Sequence, residues 1–437
     1  MLNRRHFMKH VAGYSLMAAP SLQFVQGLRA AQSTLKKQNK SLIILWMSGG
    51  PPTIDLWDMK PESNNGGPHR PVQTAAPGVM ITEHMPKTAA QFKNLSIVRS
   101  LVTSEGDHNR GTILMTTGRT PSPVVQYPTI GAITSHQLTP SDLDLPGFIS
   151  IGGGGMRTSP GFLGMNYAAF TVQNPGTPPP NMRPPSSLGS GDELDERVRR
   201  RQRLFYSIED QFTTGQAPHA QTEADLKKYG GAALNHRDIY GKAFSLMVSP
   251  RGKVFDLASE PRSLVDEYGN NNFGRGCLLA RKLVEAGVTA VEVSLGGWDL
   301  HGNTHATLQS QRLPVLDSGM GTLVKDLVDR GLWDNTVVVW MGEFGRTPRI
   351  NQNAGRDHWP RCWSVVIGGG GIKGGVAYGA TDKDGTAVAD KPATITDLYA
   401  TLFRGLGLDP TTQIRDNLGR PMAIAGDNPK AISELIS

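Results

Sequence analysis

Two stretches of the chain gather carboxylates, imidazoles and guanidinium groups directly behind an apolar run. In VVVWMGEFGRTPRINQNAGRDHWP (337–360), Val337 to Trp340 are followed by Gly342 and then by Glu343, Arg346, Arg356, Asp357 and His358. In VEVSLGGWDLHGNTH (291–305), Asp299, His301 and His305 fall within seven residues. Imidazole and carboxylate together are the donor set of Zn, Fe or Mn sites. His301 and His305 are four apart, a spacing that a helical turn would bring to one face. The competing structural reading is a set of surface loops whose charges pair with each other. Two further loops carry the same chemistry. Ser48 to Asp58 (SGGPPTIDLWD) holds Asp55 and Asp58 behind a glycine turn, and Gly106 to Thr112 (GDHNRGT) holds His108 and Arg110. His108 lies just before a helix expected over Ile113 to Gly118, where orphan N–H groups favour an anion.

Loops with such residues become a site only if something gathers them. Ser41 to Met47, Leu95 to Val98, Phe148 to Ile151, Val288 to Leu295, Val337 to Trp340 and Ser364 to Ile367 read as strands. Helical patterns alternate with them near 130–137, 273–286, 305–329 and 394–405. That alternation predicts a doubly wound, mostly parallel α/β sheet flanked by helices. Its carboxyl edge collects the loops although they span some 300 residues of chain. Gly152 to Gly155 lack a following Gly-Lys-Ser/Thr and read as a turn. Residues 173–190 are proline-rich and extended, and helical segments fill 191–250. Together, 173–250 are expected to be an insertion on the α/β core, or a lid over it. The Arg199-Arg200-Arg201 run reads as a solvated helix face.

Residues 1–31 pair an Arg4-Arg5 start with a mildly apolar run and a small-residue exit, the pattern of a twin-arginine secretory signal. They hold Arg4, Arg5, Lys9 and Arg29 and no acid, so the formal charge of +7 falls to +3 without them. A near-balanced mature chain gives no reason to expect nucleic acid. No other apolar run approaches the length of a membrane span. The expected location is periplasmic or extracellular, with the twin-arginine export machinery as a partner. The two cysteines, Cys277 and Cys362, are too far apart in sequence for a Cys-x-x-Cys motif, and pairing is left open.

The motifs GGPPTIDLWDMKP (49–61), HNRGTILMTTGRTP (108–121), FGRGCLLARKLVEAGV (273–288), GGWDLHGN (296–303) and EFGRTPRIN…GRDHWP (343–360) resemble the domain-of-unknown-function 1501 family. That family is placed in the alkaline phosphatase/sulfatase superfamily. The resemblance implies an alkaline phosphatase-like core over residues 41–437 and a divalent metal (Zn, Mn, Fe or Ca) at the carboxyl edge of the sheet. It implies metal ligands among Asp55, Asp299, His301, His305, Glu343, Asp357 and His358. Counting back from Gly118 puts His108 where a sulfatase has its nucleophilic Cys or Ser, and Phe344 stands where the superfamily usually has His. His108 is then nucleophile or metal ligand, and Arg110 and Arg346 clamp an anion. The expected activity is hydrolysis of a phosphate or sulfate ester on a small molecule or glycan. The alternative is an exported, non-catalytic binding protein that keeps the fold.

Overall fold

The computed structural model describes residues 39–179, 182, 191–216 and 231–437. The expected export signal and most of 180–190 lie outside these. Among the described residues, eight strands form one sheet: β1 (Ser41–Met47), β2 (Leu95–Leu101), β3 (Phe148–Ile151), β4 (Phe170–Val172), β5 (Ala290–Leu295), β6 (Thr336–Met341), β7 (Trp363–Gly368) and β8 (Ala377–Tyr378). Their order is β8-β2-β7-β6-β1-β5-β3-β4. β1 is central and parallel to both neighbours, with Ile43 opposite Val291 on one side and Val338 on the other. β3 is parallel to β4 and β5. Only β7 runs against its neighbours, β2 and β6.

The sequence of β1, SLIILWM, explains its place. All seven residues are buried, so neither face meets water. Ile43, Leu45 and Met47 join one core with Leu278, Leu283, Leu316 and Leu323. Those leucines lie on helices α5 (Asn272–Glu285) and α6 (Leu313–Asp329). Leu42, Ile44 and Trp46 join the opposite core with Leu114, Ile133 and Leu402. These come from α1 (His108–Thr117), α2 (Ile130–Leu138) and α7 (Ile395–Gly405). Each fully buried aliphatic side chain contributes about 1.5–3 kcal/mol, so two packed faces fix the strand's position and register. Helices on both faces of a mostly parallel sheet match the predicted fold class.

Two local expectations need correction. α1 begins at His108 itself, because the Asp107 side chain caps it by accepting from the Arg110 backbone N–H at 3.0 Å. The helix foreseen over 305–329 is broken by a π-turn at Leu308–Arg312, just before Pro314, whose ring nitrogen cannot donate to the preceding turn. Within the expected helical stretch, the described residues form helices α3 (Gly191–Gln216) and α4 (Gly231–Val248). Cys277 and Cys362 are both buried and free.

Candidate metal centre

Three strand ends and one helix start meet at the carboxyl edge of the sheet. β1 leads into Ser48 and Gly49, β5 into the loop bearing Asp299 and His301, and β6 into Glu343. Gly49 holds the first two together. Its φ is +116°, and a Cβ there would lie 2.4 Å from the Asp299 backbone nitrogen. Only glycine allows that approach. The Gly49 N–H also donates to Glu343 Oε1 at 2.8 Å, tying the β6 loop to the same turn. A two-residue ladder, His358 opposite Arg346, brings the late histidine back over the edge.

The partners of the imidazoles fix their tautomers. His108 Nδ1 lies 2.8 Å from Glu343 Oε1, His301 Nδ1 2.8 Å from Asp357 Oδ1, and His358 Nδ1 2.8 Å from the Gly106 carbonyl. Ionised carboxylates and carbonyls only accept, so each Nδ1 carries the proton and donates. In the neutral rings each Nε2 then carries a lone pair, and that of His301 also receives an Arg346 N–H at 3.3 Å. All three Nε2 atoms point at Asp299. His301 Nε2 is 2.9 Å and His358 Nε2 3.2 Å from Asp299 Oδ1, the two Nε2 atoms are 3.1 Å apart, and His108 Nε2 is 3.4 Å from Asp299 Oδ2. The ligand atoms of His108, Asp299 and His358 lie within 4.8 Å of one another.

Lone pairs facing each other and a carboxylate repel unless a proton or a cation sits between them. A tetrahedral ion bonded at about 2.0–2.1 Å to imidazole holds its ligand atoms roughly 3.3 Å apart. The three imidazole–Asp299 separations and the His301–His358 separation, 2.9–3.4 Å, are of that size. Two buried atoms at the same place, His108 Nε2 and Glu343 Oε2, have no hydrogen-bond partner among the described residues. The Nδ1 acceptors Glu343 and Asp357 stand behind the imidazoles in the manner of outer-shell carboxylates that orient metal-ligating histidines.

Charge in the cluster is strongly biased. Partial burial opposes ionisation of Asp299, but the hydrogen bond and positive charge of the Arg346 guanidinium outweigh it and hold the carboxyl well below the usual carboxylate range. The Glu343 hydrogen bond raises His108 above the ordinary imidazole value against partial burial. The hydrogen bond from His301 lowers Asp357.

Arg346 is not free to clamp an anion. Its Nε donates to the Gly50 carbonyl at 2.8 Å. Nη1 donates to the Arg356 carbonyl at 3.0 Å and His301 Nε2 at 3.3 Å. Nη2 donates to Asp299 Oδ1 at 2.5 Å and to the Gly49 carbonyl. All five N–H groups are spent on loop backbone and cluster side chains. Arg110 is not at the centre either; its guanidinium makes a bidentate pair with Glu105 at 2.7 and 2.8 Å.

Asp55 and His305 form a separate cluster. Asp55 is buried, and Arg356, fully buried itself, donates to both of its oxygens at 2.7 Å. His305 Nε2 lies 3.0 Å from Asp55 Oδ1. With three partners on its two oxygens, this carboxylate is committed to a cluster of its own. His301 and His305 part company because Asn303, at φ 48°, breaks the chain between them and the helix starts only at Thr304. Asp58 pairs with Lys60 at 3.0 Å and with the Thr381 hydroxyl. His69, unnoticed in a proline- and glycine-rich segment, is buried edge-on against His84 and His305.

A cavity of about 430 Å³ opens over the cluster. His108, Asp299 and Glu343 form its floor, with Asn109 and Thr112 of α1 on one side and Gly154 to Arg157 on another. The four-glycine turn therefore borders the site, and the first cation after it enters the cavity wall. None of the described residues of 191–248 lines this cavity.

Comparison with known proteins adds the following. No curated protein matches the chain by sequence. Among solved structures, Ps i-CgsB in complex with k-i-k-neocarrahexaose aligns at 12% identity and a TM-score of 0.40, covering 85% of this chain and 72% of that one. The lipoteichoic acid synthase LtaP from Listeria monocytogenes aligns at 10% identity and 0.31, covering 89% and 76%. The PsFucS1 sulfatase from Pseudoalteromonas sp. aligns at 14% identity and 0.35, covering 92% and 77%. The family described as "Protein of unknown function (DUF1501)" matches residues 39–436, and the chain belongs to it.

Proposed function

We propose that this protein is an exported, metal-dependent hydrolase of a phosphate or sulfate ester carried by a small molecule or glycan. The observation that carries the proposal is the convergence of three Nε2 lone pairs on Asp299, each with its Nδ1 proton already committed. His108, His301, His358 and Asp299 would hold the ion. Glu343 and Asp357, expected as ligands, would act one bond further out. Three imidazoles and a carboxylate favour Zn, Mn or Fe over Ca, which prefers oxygen donors. A bound divalent ion supplies Lewis acidity toward an ester oxygen and lowers the pKa of water. Arg346 places Asp299, and the first turn of α1 presents backbone N–H groups beside the cavity. Water adds to phosphorus or sulfur, the P–O or S–O ester bond breaks, and the alcohol leaves with a proton.

Export rests on the Arg4-Arg5 segment, which lies outside the described residues. Among the described residues, no helix is long and apolar enough to cross a membrane.

One observation favours a second role, a metal-holding protein that binds without turnover. His108 occupies the position where the resemblance places a nucleophile, and the hydroxyls lining the cavity are those of Ser48 and Thr112. The deciding experiment measures metal content of the purified chain by plasma mass spectrometry, followed by assays on aryl and glycan phosphate and sulfate esters. About one equivalent of metal with turnover supports the hydrolase. Metal without turnover on either ester class overturns it in favour of binding, and absence of metal after loading overturns both.

A further inference from the structure

Arg157 differs from the other arginines near the cluster in what its donors do. Its Nε donates to Glu292 Oε1 at 3.1 Å, and Nη2 donates to Ser294 Oγ at 3.3 Å. Its guanidinium lies over the Trp46 ring, 5.6 Å from the centroid. Nη1 has no partner among the described residues, whereas Arg346 has none of its five donors left. The side chain is 14% exposed, and what remains open faces the cavity that His108, Asp299 and Glu343 floor. Arg157 is thus a cation held on three sides, with spare donors on the fourth.

The support beneath it is unusual. Glu292 lies in β5, near the middle of the sheet, and is 1% exposed. Burial pushes its carboxyl up, opposed by Arg157. A buried acid is expensive to keep without a reason, because it needs a partner to offset desolvation. Gly153 makes the pairing sterically possible. A Cβ there would lie 2.5 Å from Glu292 Oε1 and 2.8 Å from Arg157 Nη2. Sheet, glycine loop and indole together hold one guanidinium edge at the wall of the cavity that His108, Asp299 and Glu343 also line.

We infer that Arg157 is the anion-recognition residue of this site, holding the terminal oxygens of a tetrahedral oxyanion, phosphate or sulfate, between its free N–H groups and the His108–Asp299–His358 cluster. Glu292 is its positioning residue. A planar guanidinium matches two oxygens of such a group better than an ammonium does. The inference rests on the ester-hydrolase proposal, since both require an oxyanion in the same cavity.

The test is calorimetric titration of the full zinc-loaded chain with inorganic phosphate and, separately, sulfate. The main variant is the double replacement Arg157→Gln/Glu292→Gln, which removes both charges and leaves no buried carboxylate alone. Arg157→Lys, which keeps the charge opposite Glu292, is the second. Both should retain zinc and the wild-type circular dichroism spectrum. The double variant should bind phosphate about 10- to 100-fold more weakly, the usual loss for a charge-assisted contact, and Arg157→Lys should fall between it and wild type. Unchanged affinity in both folded variants overturns the inference and reduces Arg157 to a neutraliser of Glu292, leaving the hydrolase proposal intact. A zinc-loaded wild-type chain that binds neither anion at millimolar concentration overturns the oxyanion site and the hydrolase together.

Discussion

His301 and His358 face each other through Nε2 atoms 3.1 Å apart, and both rings have already given their Nδ1 protons to other acceptors. Neutral imidazoles in that arrangement present two lone pairs to one point, with Asp299 Oδ1 completing the triangle. The Arg346 guanidinium offsets part of the repulsion, and a metal ion would offset the rest, displacing any proton held there.

The direct consequence concerns stoichiometry. Asp299→Ala and His301→Ala each remove a group that faces the shared point. Metal content measured by plasma mass spectrometry should fall from about one equivalent to near zero in both. The chain should remain folded, because these side chains are 47% and 46% exposed and belong to neither hydrophobic core.

Glu343→Gln and Asp357→Asn test the supporting carboxylates. Each amide keeps an acceptor oxygen near the histidine Nδ1 but removes the charge. Outer-shell changes of this kind typically weaken metal affinity about 10- to 100-fold. Competition with a chromophoric zinc chelator would measure the loss. If either carboxylate were instead a direct ligand, its variant would lose metal as completely as Asp299→Ala.

Asp55 and Arg356 are expected to behave oppositely. Their bidentate pair is buried, so Asp55→Ala leaves an uncompensated guanidinium and should destabilise the fold by roughly 3–5 kcal/mol. Metal stoichiometry at 20 °C should be unchanged in the surviving folded fraction. A large drop in thermal midpoint with full metal content is the expected pair of readings.

These contrasts show what the sequence carried. Strand ends were legible because runs such as SLIILWM and VVVWM must be buried on both faces, and parallel strands deliver their loops to one edge. His108, Asp299 and His358, which span 250 residues of chain, do meet. Helical spacing misled at His301 and His305, because Asn303 takes a left-handed conformation that no spacing rule foresees. Arg346 and Arg110 were indistinguishable as residue types. What separates them is whether backbone carbonyls have used up the donors, a property of tertiary contact alone. Arg157 was overlooked because the glycines before it read as a plain turn. A cation placed directly behind a glycine loop at a strand's carboxyl end was the available signal.

Glu292 gives a pH-dependent prediction that does not involve the metal cluster's own residues. Burial raises its carboxyl above the ordinary glutamate value of about 4.3. The folded chain therefore holds this proton to higher pH than the unfolded chain does. Its contribution to stability is fully present below the unfolded value and is lost as pH rises through the folded one. Glu292→Gln cannot titrate, so it should be relatively more stable, compared with wild type, at pH 7 than at pH 4. Thermal midpoints of the two proteins across that range check the sign. A difference that moved the other way would mean that Arg157 outweighs burial and that the acid stays ionised in the fold.

Arg346→Lys closes the set. The arginine is 3% exposed and satisfies the carbonyls of Gly49, Gly50 and Arg356 while bonding Asp299 and His301. An ammonium has three donors in place of five, so at least two of these acceptors lose their partner. Each unmet buried acceptor costs about 1–3 kcal/mol, and the loops holding Asp299 and Glu343 should loosen. Metal affinity should therefore fall although no ligand has been changed. Arg110→Lys, at a solvent-facing arginine away from the centre, should alter neither stability nor metal binding measurably. Equal effects from the two substitutions would show that Arg346 does not organise the cluster.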